Sequence, residues 1–371
     1  MDETDLKTSF DIKYASNQSK GEDFLNEIQA KKPLFICTIA TTETGKITGI
    51  SAAGKYPEFT DYTPPADAEL LLLGRCKCIA GVPVTPDGIP TPALITMSSL
   101  RLADVPVLVA SGGLKVKPQI PFLDFGGNPG RDIRTGNAVD NVAEVFARAK
   151  LAGEQLAKTV DYLVIGESIP GGTTTALGVL SAMGIEAEGK ISSSMPENPH
   201  DLKCRAVQDG LAAAGERFGS MAENAVRAVS CVGDPMMPVF AGLVSGAASE
   251  IPVLMAGGTQ MTAVLAVINA LNPDVLCNVA IGTTRWVAQD TSSDICGIVS
   301  QIADVPVLAA DLDFGGSRFD GLKAYEKGIV KEGVGAGGAA IAAMAATGGA
   351  VTKDMLLHEI EHNYAVLMGA K

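Results

Sequence analysis

Residues 163–175 read Leu-Val-Ile-Gly-Glu-Ser-Ile-Pro-Gly-Gly-Thr-Thr-Thr, in which an apolar run leads through glycines into an amphipathic segment. An apolar run without polar alternation is typical of a strand that is buried on both faces of a parallel sheet. Glycine followed by threonine at a helix start is typical of a phosphate site, because backbone N–H groups and hydroxyls converge there. The stretch therefore predicts a strand–loop–helix unit with a ligand at its junction.

The same alternation of short apolar runs and longer amphipathic segments extends in both directions along the chain. It predicts an α/β fold with a doubly wound, mostly parallel sheet and helices on both faces. The predicted strands are 33–40, 69–73, 105–110, 161–166, 252–256, 275–281 and 305–310. The predicted helices are 137–158, 173–183, 201–218, 221–231, 259–271, 319–329, 335–346 and 353–368.

Two further strand ends are rich in glycine and hydroxyl residues. They read Val253-Leu-Met-Ala-Gly-Gly-Thr-Gln260 and Ala280-Ile-Gly-Thr-Thr-Arg285. Because ligands of open parallel sheets bind outside the carboxyl ends of the strands, we expect the three loops to share one phosphate-binding site. The loops match neither a Walker A sequence nor a GxGxxG fingerprint. The alternative remains that each loop has glycine only because a strand–turn–helix junction needs it.

Two carboxylates are candidates for chemistry. Glu167 ends its predicted strand, where it is either a ligand contact or a brace for the loop. Glu332 lies in Ile329-Val-Lys-Glu-Gly-Val-Gly-Ala-Gly-Gly-Ala339, among small residues that can surround a tight cavity. Desolvation there would raise its pKa and make it a better general base. The alternative for Glu332 is a negative charge that merely stabilises a helix N-terminus.

Composition limits the partners. The formal net charge is −13, which disfavours nucleic acid as a partner. The seven cysteines include no CxxC pair, which favours reduced thiols and a cytoplasmic location. The N-terminal segment is polar and the apolar runs are short, so we expect a soluble protein without a signal peptide or membrane span.

One metal motif is present in outline. His358-Glu-Ile-Glu-His362 matches HExxH on a predicted helix, but no third ligand follows at the expected spacing. The remaining histidine is His200, far from this segment in sequence. We therefore predict no zinc at these histidines and interpret the run as the solvated face of a terminal helix.

Taken together, the loops resemble those of the nicotinate-nucleotide:dimethylbenzimidazole phosphoribosyltransferases of cobalamin assembly, as a divergent branch. The family's Gly-Glu-Met-Gly-Ile-Gly-Asn-Thr-Thr loop is similar to Gly166-Glu-Ser-Ile-Pro-Gly-Gly-Thr-Thr174. Its Gly-Gly-Phe-Glu-Ile-Ala-Ala and Gly-Glu-Gly-Thr-Gly-Ala segments resemble Gly257-Gly-Thr-Gln-Met-Thr-Ala263 and Lys331-Glu-Gly-Val-Gly-Ala336. A family lysine ahead of a helix resembles Lys203. The matches follow the family order over roughly residues 85–345.

The resemblance implies that the chain moves the 5-phosphoribosyl group of nicotinate mononucleotide to a benzimidazole-like aromatic base, with release of nicotinate and inversion at C1′. It implies Glu332 as the catalytic base and needs no metal or redox cofactor. It also implies a homodimer, with a large nucleotide-binding domain over 33–318 and a small helical domain from 1–32 and 319–371 that contributes to the active site. The implied substrate-binding residues are Glu167, Gly171, Gly172, Thr173, Thr174, Thr175, Lys203, Gly257, Gly258, Gln260, Gly333 and Gly335.

The departures from the family pattern concern the acceptor. The family's Asp-His-Gly-Val and Ser-Tyr-Pro motifs are replaced by Asp87-Gly-Ile-Pro-Thr-Pro92 and Ala93-Leu-Ile-Thr-Met97, so the acceptor could equally be another benzimidazole, a purine or a phenol. A dehydrogenase would need a GxGxxG turn and a ribose-binding acid, and neither is evident. A non-catalytic or regulatory nucleotide-binding protein of the same fold remains the main alternative.

Overall fold

The computed structural model describes residues 10–51, 57–81, 83–85, 88–195 and 197–369. The strands are β1 Ile12–Ser16, β2 Pro33–Ala40, β3 Val107–Gly113, β4 Leu123–Asp124, β5 Tyr162–Ser168, β6 Val253–Ala256, β7 Val279–Thr284 and β8 Val307–Ala310. The helices of the first half are α1 Gln18–Ile28, α2 Thr63–Leu73, α3 Ala93–Leu102, α4 Val142–Leu156 and α5 Gly172–Ala182. Those of the second half are α6 His200–Ala213, α7 Ala225–Val232, α8 Met236–Ala247, α9 Gln260–Leu271, α10 Arg285–Ala288, α11 Ile295–Ile302, α12 Asp320–Lys323, α13 Ala336–Ala346 and α14 Lys353–Leu367.

The eight strands form one sheet in the order β1-β8-β7-β6-β5-β2-β3-β4. All neighbouring pairs are parallel except β1, which runs antiparallel to β8 at one edge. From β2 the chain builds outward to β3 and β4, then returns to β5 on the other side of β2 and continues to β8. The strand order therefore reverses between β2 and β5, which is where a doubly wound sheet opens a crevice for ligands.

Alternate residues of the central strands serve two separate cores. In β5, Leu163 and Ile165 belong to the core that covers one face together with α4, α5, α8 and α9. Tyr162 and Val164 belong to the opposite core, with α2, α3, α13 and α14. Both faces of the sheet are thus covered by helices, and this confirms the predicted fold class. Among the described residues, no helix is both long and apolar enough to cross a membrane.

The predicted strand at 69–73 is wrong, because these residues end helix α2. Pro64 and Pro65 stand in the first turn of that helix, where proline is well tolerated, and the leucines that follow are strong helix formers without β-branching. The prediction also missed β1 and β4. Strand β1 has a mixed sequence with a lysine, which is typical of an edge, and β4 has two residues and carries too little pattern to detect.

The helices that the predicted set lacks are α1, α2, α3, α8, α10 and α11. Helix α8 is completely buried, so its sequence has no polar face and gives no helical period to read. The division into a large and a small domain stays a prediction. Within the structure, β1 is part of the main sheet, and α14 packs on α3 in the second core.

Candidate functional site

A cavity of about 820 Å³ lies at the carboxyl ends of the parallel strands, next to the reversal of strand order. Its wall includes the end of β5, the start of α5 that follows it, and the segment before α13, which is more than 150 residues away in sequence. Seven of the predicted site residues line it: Glu167, Gly171, Gly172, Thr173, Gln260, Glu332 and Gly333. The structure places the other six outside this wall, namely Thr174, Thr175, Lys203, Gly257, Gly258 and Gly335.

The first predicted loop opens helix α5 on the cavity. Gly171 has φ +85°, a conformation that favours glycine, and a Cβ there would lie 2.8 Å from the backbone of Gly45. The first turn of α5 contains no acidic side chain. Gly172 and Thr173 therefore present a helix N-terminus to the cavity, and such a terminus attracts anions through its backbone N–H groups and dipole.

Thr175 was predicted to contact the ligand, but its hydroxyl contacts a buried carboxylate of the protein instead. Its hydroxyl donates to Asp234, a fully buried carboxylate that also accepts from the backbone N–H groups of Met236 and Met237. Burial raises the pKa of Asp234 to about 6, and these hydrogen bonds act against the increase. Thr175 and Asp234 thus join the first turn of α5 to the start of α8. Thr174 is also buried, and neither threonine lines the cavity.

Glu167 is buried at the end of β5, where its side chain reaches the cavity. Gln260 Nε2, from the second predicted loop, lies 3.4 Å from Glu167 Oε1. Burial raises the pKa of Glu167 to about 8, and the negative charges of Asp234 and Glu332 contribute. At neutral pH Glu167 is therefore largely protonated and can donate a hydrogen bond to a ligand.

Glu332 is held by a different set of contacts. Its carboxylate accepts from the N–H groups of Thr284 at 2.9 Å, Gly333 at 3.1 Å and Gly337 at 3.2 Å, and from the Thr283 hydroxyl at 3.3 Å. Burial raises its pKa to about 7, and these donors limit the increase. Glu332 is thus a carboxylate that is poised near neutral pH, as a general base requires.

The third predicted loop contributes by holding Glu332. Thr283 and Thr284 end β7 and do not line the cavity, but both donate to the carboxylate. The Gly257–Gly258 turn also serves the site indirectly. A Cβ at Gly258 would lie 3.3 Å from the Gln260 side chain, which is a tight contact, and 3.6 Å from Glu332 Cγ, which is ordinary van der Waals contact.

Lys203 is fully buried in α6, and its ammonium group does not reach the cavity wall. Its Nζ donates to the carbonyl oxygen of Ser192 at 2.7 Å and to Asn198 Oδ1 at 3.0 Å. Burial lowers its pKa to about 7, and the positive charge of Lys331 adds to this. The structure therefore gives Lys203 a supporting position behind a serine loop.

The sequence prediction missed that loop and one further cation. Ser192, Ser193 and Ser194 line the cavity, and the Ser192 N–H donates to the Thr259 hydroxyl at 3.0 Å. Lys331 also lines the cavity and donates from Nζ to Asp290 Oδ2 at 2.6 Å. The serine run carries no strand-end signature, and a single lysine beside Glu332 cannot be told from a surface charge by sequence alone.

The remainder of the wall is largely apolar. It comes mainly from the segment before α2, the loop that follows α2 and the segment before α13. Asp67 of α2 is a buried carboxylate on this wall and was also missed. The apolar lining residues are Ile50, Phe59, Tyr62, Ile79, Ala80, Pro83, Val84, Pro92, Ile169, Pro170, Val287, Val330 and Val334. Asp87, which belongs to one of the segments that depart from the family pattern, lies outside the described residues.

His358 and His362 both lie on α14, outside the cavity wall. Within the described part of the chain, no three histidine, cysteine or acidic side chains are grouped so that they could hold a metal ion. Chemistry in the cavity itself can draw on three buried carboxylates of unequal proton affinity, namely Asp67, Glu167 and Glu332, on a helix N-terminus and on a buried lysine.

A doubly wound sheet with a cavity at its switch point is the arrangement in which α/β proteins bind ligands, in the crevice outside the carboxyl ends of the strands. The family model described as Phosphoribosyltransferase matches residues 103–290, which is just over half of the chain. UPF0284 proteins match over nearly the whole length. That of Methanothermobacter thermautotrophicus is 47% identical over 87% of this chain and 90% of its own. That of Sulfolobus acidocaldarius is 46% identical over 93% of this chain and 100% of its own. The chain belongs to the UPF0284 proteins, a divergent branch of the phosphoribosyltransferase family.

The fold also matches two solved structures from Thermus thermophilus. One is a nicotinate-nucleotide-dimethylbenzimidazole phosphoribosyltransferase, with a TM-score of 0.55 and 16% identity over 96% of this chain and 94% of the other. The second is CobT, with a TM-score of 0.58 and 16% identity over 96% and 95%. At this identity the likeness concerns the fold alone, and it confirms the predicted α/β fold with a mostly parallel sheet.

Proposed function

We propose that the chain transfers the 5-phosphoribosyl group of nicotinate mononucleotide to an aromatic nitrogen base, giving an α-riboside phosphate and nicotinate. The observation that carries the proposal is the pairing, in one cavity, of a helix N-terminus without acidic residues and a carboxylate poised near neutral pH. The name of the first structural neighbour supports the choice of donor and of acceptor class.

In this reaction one ring nitrogen of the base attacks C1′ with its lone pair, and Glu332 takes the proton from the ring N–H of the same base. Its four donors fix the carboxylate in one orientation, and its pKa of about 7 gives it both an ionised fraction and appreciable proton affinity at neutral pH. General-base catalysis of this kind contributes about 10²–10⁴-fold to a rate. The carbon–nitrogen bond to nicotinate breaks as the new bond forms at the opposite face of C1′, and the bonding electrons leave with the pyridine nitrogen.

The start of α5 binds the 5′-phosphate. Thr173 supplies its backbone N–H and its hydroxyl, since the Gly172 N–H already donates to the carbonyl oxygen of Ile169. The serine loop and Lys331 line the same cavity and add hydrogen bonds and positive charge. Protonated Glu167 avoids repulsion between a second carboxylate and the anionic donor. Fixing the ribose in this way lets orientation supply much of the rate.

The test is product analysis. The protein is incubated with nicotinate mononucleotide and, separately, benzimidazole, 5,6-dimethylbenzimidazole, adenine and phenol, and products are followed by chromatography with mass detection. We expect nicotinate release that depends on the acceptor, with one riboside phosphate formed per nicotinate. Tight binding of the nucleotide without turnover on any acceptor would instead favour the non-catalytic nucleotide-binding alternative.

A further inference from the structure

Three polar side chains form a hydrogen-bonded cluster on the mainly apolar wall of the cavity. Ser168 Oγ donates to Asp67 Oδ2 at 2.7 Å, and Thr91 Oγ1 donates to Asp67 Oδ1 at 2.8 Å. All three residues line the cavity, and Asp67 is only 2% exposed. The proposed reaction gives this cluster no role, although burial of a carboxylate costs free energy.

The carboxylate determines where both hydroxyl protons point. A hydroxyl has one proton, and an ionised carboxylate can only accept, so Ser168 and Thr91 must each direct that proton to Asp67. Burial raises the pKa of Asp67 to about 6, while the two hydroxyl donors lower it, so the group is ionised at neutral pH and above. Towards the cavity the cluster therefore offers only oxygen lone pairs.

The cluster adjoins the place of reaction. Thr91 is followed by Pro92, whose Cγ would lie 3.2 Å from a Cβ built on Gly333, the residue after Glu332. Thr91 and Glu332 are therefore close neighbours on this wall, because the residues next to them in sequence, Pro92 and Gly333, are in contact. Tyr62 lies just before α2 and also lines the cavity, so aromatic and apolar surface accompanies the polar cluster.

We propose that Asp67, Ser168 and Thr91 form the specificity-determining edge of the acceptor site and select an aromatic base that carries an amino or hydroxyl hydrogen-bond donor on its ring. The reason is complementarity, since a ring edge bearing a donor satisfies the lone pairs, whereas an edge bearing only an acceptor leaves buried oxygens facing each other. The assignment rests on the proposed function, because it takes this part of the cavity as the acceptor site.

The test compares two benzimidazoles of similar size. 5-Aminobenzimidazole carries a donor, and 5-methoxybenzimidazole carries only an acceptor at that position. Binding of each is measured by calorimetry in the presence of nicotinate, so that no turnover is needed. We expect the parent to prefer the amino compound roughly three- to tenfold, the worth of one net hydrogen bond.

The Asp67→Asn variant should lose or invert this preference, because the amide donates to one hydroxyl and frees its proton for the ligand. Asp61→Asn is the matched control. Asp61 lies on the segment before α2 and pairs with Lys46 at 2.8 Å, away from the cavity wall, so the preference should persist. If Asp67→Asn does not fold, Ser168→Ala removes one acceptor oxygen and should still reduce the preference.

Two results would overturn the inference: equal affinity of the parent for both compounds, or an unchanged preference in folded Asp67→Asn. A loss of affinity that is equal for both compounds would mark Asp67 as a structural brace and would count against it as well. Turnover with nicotinate mononucleotide is measured separately. A selective site without turnover would contradict the proposed function, and with it the assignment to an acceptor site, and would leave only the preference of the cluster for ligands with a donor. Turnover without selectivity would overturn the inference and leave the proposed function intact.

Discussion

Helices α5 and α13 begin alike, at the same edge of the sheet and after a glycine of positive φ, Gly171 at +85° and Gly335 at +69°. They differ in what occupies their N-terminal N–H groups. At α13 the N–H of Gly337 donates to the chain's own Glu332, whereas the first turn of α5 has no acidic side chain and opens on the cavity. Both glycines also pack tightly against backbone: a Cβ would lie 2.8 Å from Gly45 at Gly171 and 3.0 Å from Gly166 at Gly335.

The difference shows how one structural solution serves two chemical purposes. A helix N-terminus stabilises negative charge from any source. At α13 that charge is a protein carboxylate, which is thereby oriented and kept partly ionised despite burial. At α5 the first turn has no acidic side chain, and our proposal is that the phosphate of the ligand provides the charge. The comparison predicts that removing the charge at α13 slows the reaction, and that adding a charge at α5 weakens binding of the nucleotide.

The largest effect is expected at α13. Glu332→Gln keeps the size of the side chain but removes the proton acceptor, so turnover should fall by about 10²–10⁴-fold while affinity for nicotinate mononucleotide is kept. Steady-state kinetics and calorimetry measure the two quantities. The control Glu144→Gln changes an exposed carboxylate on α4 and should leave both unchanged. Near-normal turnover of Glu332→Gln on a verified acceptor would reduce Glu332 to a charge at a helix end.

The next effect is expected at α5, where a carboxylate can be introduced to imitate α13. In Thr173→Asp the new charge occupies the first-turn N–H groups and repels the phosphate, so the dissociation constant of nicotinate mononucleotide should rise by roughly 10–100-fold. Thr173→Asn has nearly the same shape without the charge and should cost much less. Equal losses in the two variants, measured by calorimetry, would mean that the phosphate binds elsewhere in the cavity.

A third prediction concerns the dependence of turnover on pH. Only ionised Glu332 accepts a proton, and its pKa is about 7. The rate with saturating substrates should therefore rise about tenfold per pH unit below this value and level off above it. The residual activity of Glu332→Gln should lack this rise. A parent profile that is flat between pH 5 and about 8 would contradict the assignment of Glu332 as the base.

The sequence predicted those features of the two helix starts that depend on where the parallel strands end. Strand 33–40 was predicted to the residue, and the α5 and α13 loops were brought to one edge because parallel strands end together. Asp67 was not found, because it lies inside α2, whose leucines were interpreted as a strand. Lys203 was placed in the ligand site by resemblance, but whether its ammonium group faces the cavity or supports a loop depends on packing that no local pattern encodes.

The smallest expected effect concerns stability, and it tests how completely the α13 N-terminus offsets the burial of Glu332. The folded-state pKa of about 7 lies above the ordinary value of 4.5, so the folded protein binds the proton more tightly than the unfolded chain does. Stability from this group is therefore fully present below pH 4.5 and is lost as the pH rises to about 7. In Glu332→Gln this loss cannot occur. The free energy of unfolding of the variant, relative to that of the parent, should increase as the pH rises over this range.

Urea unfolding of both proteins between pH 5 and about 8 measures this difference. The hydrogen bonds that glutamine fails to make shift the free energy of unfolding by an amount that does not depend on pH. The test therefore rests on the drift, which is the change with pH in the difference between the two proteins. Glu167 adds to the drift in the same direction, because the charge of Glu332 contributes to raising its pKa to about 8, and the variant removes that charge. A constant difference would mean that the donors at α13 offset burial completely. A drift of opposite sign would mean that they bind the carboxylate more strongly than water does, and α13 would then resemble an occupied anion site in the way proposed for α5 with its phosphate.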